Sequence, residues 1–313
     1  MRAIGVIEYG GPEALREVDV PQQPLGPGQV RVRVTAAAVN PTDTIVREGW
    51  RHDADRSADV ADVPGMDVAG ELLEVGPDVA TDLSPGDPVM AVVVPQGAHG
   101  AYREDVVLPA GSVVRAPAGT TPAEAATLPM NGLTARHALD LMALEPGQVL
   151  AVTGAAGAFG GYVVQLAKAD GLTVVADAAE KDEELVRSLG ADVVVRRGED
   201  VADRLRELYP DGVDGLADGA VLDDKALPAV KDGGTVATVR GYQGDGRRDL
   251  RVHAVWVRDV AERADLLDGL REQAESGVLT LRVADVVPAA RAGEAHERLA
   301  AGGVRGRLVL DLT

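Results

Sequence analysis

The chain has 313 residues, more than one hydrophobic core usually organises, and its 46% apolar content excludes global disorder. It contains no cysteine, which removes disulfides, thiolate nucleophiles and every zinc site that needs sulfur. Against 50 Asp+Glu the 31 Lys+Arg leave a net charge of -19, a surface that repels phosphate backbones and anionic lipid, so neither nucleic acid nor membrane is an expected partner.

Met1 to Gly10 lacks the charged-then-apolar layout of a signal peptide, and no apolar run is long enough to span a bilayer, so the expectation is a soluble, cytoplasmic protein. From Met1 to about Pro117 short β-type runs are cut by Gly and Pro. Gln29 to Ala37 alternates apolar and polar residues as a half-buried strand does, and Val68 to Val75, Asp87 to Val94 and Asp105 to Leu108 continue the theme. Aromatics are 3% of the chain, so the core must be Val, Leu and Ala. The acidic stretch Asp53 to Asp62 reads as a surface loop flanking a site.

From about Thr121 to about Arg258 the texture changes to continuous apolar strands (Val149 to Val152, Thr173 to Ala176, Asp192 to Val195, Gly212 to Ala217, Thr235 to Val239, Leu250 to Val257). Helical stretches lie between them (Gly161 to Asp170, Lys181 to Leu189, Val201 to Leu208). Strands apolar on both faces predict a parallel sheet covered by helices. A helix at about Val260 to Ser276 precedes a return to β texture at Leu281 to Val287 and Arg307 to Asp311. The simplest layout is an α/β, doubly wound parallel-sheet domain over 121–261 inserted into a β domain made of 1–120 and 262–313.

One turn carries chemistry. The strand Val149 to Val152 runs into Thr153-Gly154-Ala155-Ala156-Gly157-Ala158-Phe159-Gly160 and then into a helical stretch, with the next strand close behind. That is the context a dinucleotide site requires: Gly157 lets the main chain approach a pyrophosphate, Gly160 lets helix pack on strand, and the N–H groups at the helix start face the anion. Asp177 ends the second strand and favours NAD if it points to the ribose. Lys181, Arg196 and Arg197 lie near the ends of the second and third strands, where a 2′-phosphate of NADP would sit. The pattern leaves both readings open.

Several ordered segments then spell out a family. Ala38-Val39-Asn40-Pro41-Thr42-Asp43, Pro64-Gly65-Met66-Asp67-Val68-Ala69-Gly70, Val75 to Val79, Gly86 to Val89, Leu128 to Ala135, the glycine-rich turn, Leu189 to Asp192 and Arg305 to Leu310 follow one another with matching spacing. The chain resembles, over nearly its whole length, the medium-chain dehydrogenase/reductase family in its zinc-independent quinone oxidoreductase (zeta-crystallin-like) branch. The resemblance implies a Rossmann domain inserted into a GroES-like β-barrel domain. Where the zinc-dependent branch carries Cys and His ligands, Asn40 and Met66 stand here, so no zinc is expected.

The resemblance further implies hydride transfer from NADPH, with NADH the lesser alternative, to a quinone or an α,β-unsaturated carbonyl compound. Asn40 and Thr134 take the catalytic positions, Asn40 donating to the acceptor's carbonyl oxygen and Thr134 bonding the nicotinamide side. Cofactor contacts are implied for both of these and for Thr153, Ala156, Gly157, Ala158, Phe159, Asp177, Ala178, Lys181, Arg196, Arg197, Gly241, Arg305 and Arg307. Asp43 and Asp67 are read as orienting their neighbours. Ala178, rather than Asp177, aligns with the acid of NAD-specific members, which favours NADPH. The alternatives are a stand-alone enoyl reductase acting on thioesters and a low-turnover NADPH-binding redox sensor. A small-molecule substrate and a homodimer paired through the edge strand 250–257 complete the implied partners. His99 reads as a loop histidine, and His52, His137, His253 and His296 show no ligand spacing.

Overall fold

The computed structural model describes residues 1–49 and 61–313. Most of the acidic stretch read as a loop at Asp53 to Asp62, and His52, lie outside the described residues. The chain divides into two compact units: one of Met1–Met130, Ala261–Glu275 and Leu281–Thr313, the other of Asn131–Val260 and Ser276–Thr280.

The first unit begins with β1 (Arg2–Gly5) and β2 (Arg16–Asp19), an antiparallel pair. It continues through β3 (Gln29–Ala38), α1 (Pro41–Arg47), β4 (Asp67–Val75), β5 (Pro88–Val92), β6 (Asp105–Pro109), β7 (Val113–Arg115) and α2 (Pro122–Ala125). The alternation in β3 does what its period demands. Val30, Val32 and Val34 are buried on one face, while Arg31 on the other is covered by ion pairs to Glu74 and Asp105 at 2.7 and 2.8 Å. Strand β3 is long enough to serve three partners: β4 along one edge, β6 against Gln29 to Arg33, and a C-terminal strand against Ala36 to Ala38.

The second unit takes most of α3 (Pro129–Met142), then β8 (Val149–Thr153), α4 (Ala158–Ala169), β9 (Thr173–Ala178), α5 (Glu183–Ser188), β10 (Val193–Arg196), α6 (Val201–Leu208), β11 (Val213–Asp218), β12 (Val230–Thr238) and β13 (Arg251–Ala254). Its six strands are parallel throughout, in the order β10-β9-β8-β11-β12-β13. The chain winds outward from β8 in one direction and then returns to start again at β11. The neighbours β8 and β11 therefore flank a topological switch point, where ligands of such sheets bind. The central strands are buried on both faces, as their unbroken apolar runs predict.

The chain returns to the first unit through α7 (Ala264–Glu275), β14 (Val283–Pro288), α8 (Ala292–Ala301) and β15 (Arg307–Asp311). Strand β15 pairs with the end of β3, so the last strands complete the sheet the first ones begin, in the order β14-β15-β3-β4-β5-β7. The periodicity missed α1, α2, α3 and α8, of which α1 and α8 carry polar residues on their buried faces, and it started α4 three residues late.

Where β3 and β4 cross there is no room for a side chain at Gly70: a Cβ would lie 1.8 Å from the Arg33 carbonyl oxygen. We expect Gly70→Ala to cost about 1–3 kcal/mol or more through forced backbone displacement. Chemical denaturation of the two proteins side by side checks this; equal midpoints would contradict the packing.

Candidate functional site

In the second unit, Gly154 opens the glycine-rich turn at φ +67°. A Cβ there would lie 2.8 Å from the Gly219 carbonyl carbon, and one at Gly160 would lie 2.4 Å from the Gly154 oxygen. Only hydrogens fit, so β8, the end of β11 and the start of α4 come together at main-chain distance. Gly157 caps α4 in extended conformation, and the first intrahelical bond runs from Gly161 N–H to Gly157 C=O at 3.0 Å. The N–H groups of residues 158–160, in the first helical turn, precede that bond and are the groups an anion would meet.

Two buried carboxylates brace this turn. Asp177 lies within β9 rather than at its end, is 5% exposed, and accepts hydrogen bonds from the main-chain N–H groups of Ala155 (3.3 Å) and Gly154. Burial raises its pKa, and those bonds oppose the shift. Its side chain is spent on the turn, which corrects the reading of Asp177 as a ribose acid. Asp218, at the end of β11 across the switch point, accepts from Thr153 Oγ1 (2.6 Å) and from the N–H groups of Leu222 and Asp223 (both 2.8 Å). Thr153 Oγ1 in turn accepts from Ala220 N–H, so Thr153 fastens the turn to the loop after β11. Phe159 packs on that loop: a Cβ at Gly219 would touch its Cδ1 at 3.0 Å.

Arg196 stands opposite Ala178 in the strand register, and Arg197 N–H bonds the Ala178 carbonyl at 2.9 Å. Lys181 follows in a short 3-10 turn, Glu180–Asp182. All three cations are exposed, and Arg196 keeps only a loose ion pair with exposed Glu180 at 3.6 Å. The sequence reading that grouped them around the end of the second strand thus corresponds to one end of the sheet. Gly241, in the loop after β12 at φ +83°, packs against the Trp256 ring. Thr134 is buried in α3, and Ala156 is buried in the turn.

In the first unit the polar centre lies where β3 ends and β4 begins. Pro41 pushes Asn40 into extended backbone, which makes it the N-cap of α1, and Asp43 at the third helical position accepts the Asn40 N–H at 2.7 Å. Asn40 is 0% exposed, and its Nδ2 donates to Asp67 Oδ2 at 2.6 Å and more distantly to the Ala38 carbonyl at 3.4 Å. Both amide hydrogens are therefore committed within the protein, and the expected donation to a substrate carbonyl does not fit this arrangement. Asp67 Oδ1 accepts from Met130 N–H (2.7 Å), Asp43 Oδ1 from Gly65 N–H (3.1 Å), and Asp43 Oδ2 also from the Tyr102 hydroxyl (2.9 Å).

Burial drives both carboxyls upward, Asp43 to about 6 and Asp67 to about 7, against the pull of their hydrogen bonds and of the Arg307 charge. Arg307 is 8% exposed and acts on Asp43 and Asp67, which makes it the counter-charge of this cluster rather than a surface phosphate ligand. Arg305, two residues earlier, is only half-buried and bonds the Val304 carbonyl. The structure adds Tyr102, Arg47 and His296 to the cluster, three residues the sequence reading gave no role. The signal for His296 was available: Ala292, Ala295, His296 and Leu299 have the spacing of one helix face, with a histidine on its apolar side.

Comparison with known proteins follows the same division. The family model described as an alcohol dehydrogenase GroES-like domain matches residues 26–118, and one described as a zinc-binding dehydrogenase matches residues 158–263. An Arabidopsis thaliana protein named NADPH-dependent alkenal/one oxidoreductase is 34% identical over 249 residues, 77% of this chain and 63% of its own length. A Triphysaria versicolor protein named quinone-oxidoreductase is 36% identical over 203 residues, 62% of this chain and 60% of its own. The match thus spans less than two thirds of either plant relative. A mycobacterial protein solved in complex with NADPH is 29% identical, with a TM-score of 0.84 over 99% of both chains.

The raised carboxyls have a measurable consequence. A folded carboxyl near 7 that returns to about 3.8 on unfolding binds more protons when folded, so its contribution is full below pH of about 4 and is lost as pH rises through about 7. His296, lowered to about 3 by burial, works oppositely and withdraws stability as pH falls below about 6.5. The difference between wild type and Asp67→Asn isolates the first contribution. We expect the variant's stability relative to wild type to improve between pH 5 and 8 in denaturant titrations, and a constant difference would refute the raised Asp67.

Proposed function

Because this chain belongs to the medium-chain dehydrogenase/reductase superfamily, we propose that it is an NADPH-dependent oxidoreductase reducing a quinone or an α,β-unsaturated carbonyl compound. The observation that carries this reading is the braced glycine turn at the β8/β11 switch point, with Arg196 and Arg197 beside Ala178 and Asp177 turned inward. The start of α4 fits a pyrophosphate, and the exposed guanidinium groups with Lys181 fit the 2′-phosphate that distinguishes NADPH. NADPH supplies the hydride when bound.

The chain's own residues orient and exclude. Asn40, with its amide held by Asp67, shapes the polar end of the first unit, Thr134 takes a positioning role, and the developing oxyanion is left to water. The proposed reaction proceeds without zinc, although one matching family model names that metal. The donor set does not suit a tetrahedral site: the sequence has no cysteine, Asn40 turns its NH₂ to Asp67, and Met66 offers only a thioether. Among the described residues no group of three or more His, Asp or Glu side chains could hold a metal ion. Nor is any helix among them long and apolar enough to cross a membrane. We also propose that the exposed edge of β13 pairs with a second copy of the chain.

Three measurements test the reading. Lys181→Ala combined with Arg196→Ala should raise the Kd for NADPH about tenfold or more and leave that for NADH nearly unchanged; equal effects would overturn the NADP assignment. Asn40→Ala should lower kcat about tenfold, since a lost oxyanion donor would cost about 100–1000-fold and would restore Asn40 as the donor. A screen of NADPH oxidation with quinones, enals and enoyl thioesters identifies the acceptor. Exclusive use of thioesters would make the protein an enoyl reductase, and silence on all of them despite tight NADPH binding would make it a sensor.

A further inference from the structure

Four buried side chains of the first unit form a line whose polarity is fixed by what each can donate. Arg47 is 4% exposed and uses every arm of its guanidinium: Nε donates to the Gly10 carbonyl (3.1 Å), Nη2 to Glu48 Oε1 (2.5 Å), and Nη1 points at His296 Nδ1 (3.4 Å). His296, on α8, is 0% exposed, and its Nε2 lies 3.3 Å from the Tyr102 hydroxyl. The two rings meet edge to face, with centroids 6.0 Å apart and planes at 74°. The Tyr102 hydroxyl lies 2.9 Å from Asp43 Oδ2.

A guanidinium has donors and no acceptor, so His296 Nδ1 must be the bare nitrogen and the ring's one proton must be on Nε2. That proton then points to the Tyr102 oxygen, and the single Tyr102 hydrogen points to Asp43, which when ionised can only accept. Every bond therefore runs one way, from Arg47 through His296 and Tyr102 to Asp43. Such a line cannot conduct protons from its far end, because a guanidinium does not give its proton up. What it can do is polarise and hold. Asp43 Oδ2 also takes the Asn40 N–H, and Oδ1 takes the Gly65 N–H, so the terminal carboxylate ties the segments carrying Asn40 and Asp67.

We propose that Arg47, His296 and Tyr102 are positioning residues: a one-way hydrogen-bond relay, with His296 locked as the neutral Nε2–H tautomer, that sets Asp43 and through it the Asn40 and Asp67 segments. The effect on turnover rests on the function proposed above, whereas the tautomer and the fixing of Asn40 do not. Burial agrees with the assignment, since it holds His296 far below and Tyr102 well above their ordinary pKa values. The charged groups around the line are Glu48 on Arg47, Asp43 at its end, and Asp67 and Arg307 beyond. Among the described residues, His296 and Tyr102 bond Arg47, each other and Asp43, and no further charged group stands between Arg47 and Asp43 in that line.

Nitrogen-15 NMR of the histidine-labelled protein reads the tautomer directly. We expect His296 to show a protonated Nε2 and a bare Nδ1, unchanged between pH 7 and 9, where Asp43, raised to about 6, is ionised; a protonated Nδ1, or titration in that range, would overturn the relay. The second arm compares Tyr102→Phe, His296→Leu and His296→Gln. The first two should shift the Asn40 main-chain amide resonance and lower kcat about tenfold while the Kd for NADPH stays within about twofold, the size of effect expected from small misplacement. His296→Gln, whose amide N–H can stand where Nε2–H stood, should recover most of the loss. An unmoved Asn40 resonance, or variants that lose only thermal stability and keep kcat, would overturn the positioning role. If wild type reduces no acceptor, the function proposed above fails, and the tautomer and the Asn40 resonance still decide the relay.

Discussion

The carboxylate of Asp43 has no exposed surface, yet three donors from separate parts of the chain converge on it. A buried charge of this kind is costly unless its lone pairs are satisfied, and the cost is what makes its surroundings specific. Satisfying Asp43 requires that α1 start at Asn40, that the segment before β4 turn its Gly65 N–H inward, and that Tyr102 reach across the interior. Asp67 repeats the device one strand away with Met130 N–H and the Asn40 amide, and Arg307 on β15 supplies the nearby positive charge. The end of the chain thereby helps fix the geometry of its first third.

The second unit uses the same device for another purpose. Asp177 on β9 and Asp218 on β11 are buried near the carboxyl ends of the two strands that flank β8, and both accept main-chain N–H groups of the turns above them. Buried acids so placed stiffen the two sides of the switch point, so that a glycine-rich turn with little side-chain packing of its own holds one shape. In a chain of net charge -19 the acids that matter structurally are inside, while Lys181, Arg196 and Arg197 stand outside at the end of the sheet.

The fold was legible wherever burial imposes a period. Strand β3 showed its alternation, the inner parallel strands showed unbroken apolar runs, and the glycines of the turn showed the spacing that close strand-to-helix contact needs. The cation cluster was legible too, because residues at the ends of adjacent parallel strands must be neighbours. Side-chain direction was not. Asp177 lies in a position where it could face either a ribose or the turn, and a local pattern cannot choose between them. Tyr102 and His296 are 194 residues apart in the chain, and no spacing rule joins them.

What the sequence alone determined is therefore the set of elements, their winding into a doubly wound sheet and a β unit, and the chemistry that an absence of cysteine removes. These follow from periodicity and composition, which are local or additive. Only the tertiary structure decided that Asn40 gives its amide to Asp67, that Asp177 supports the turn, and that His296 lies between a guanidinium and a phenol. Hydrogen bonds are directional and buried donors must find acceptors, so such assignments depend on which distant groups the packing brings within about 3 Å.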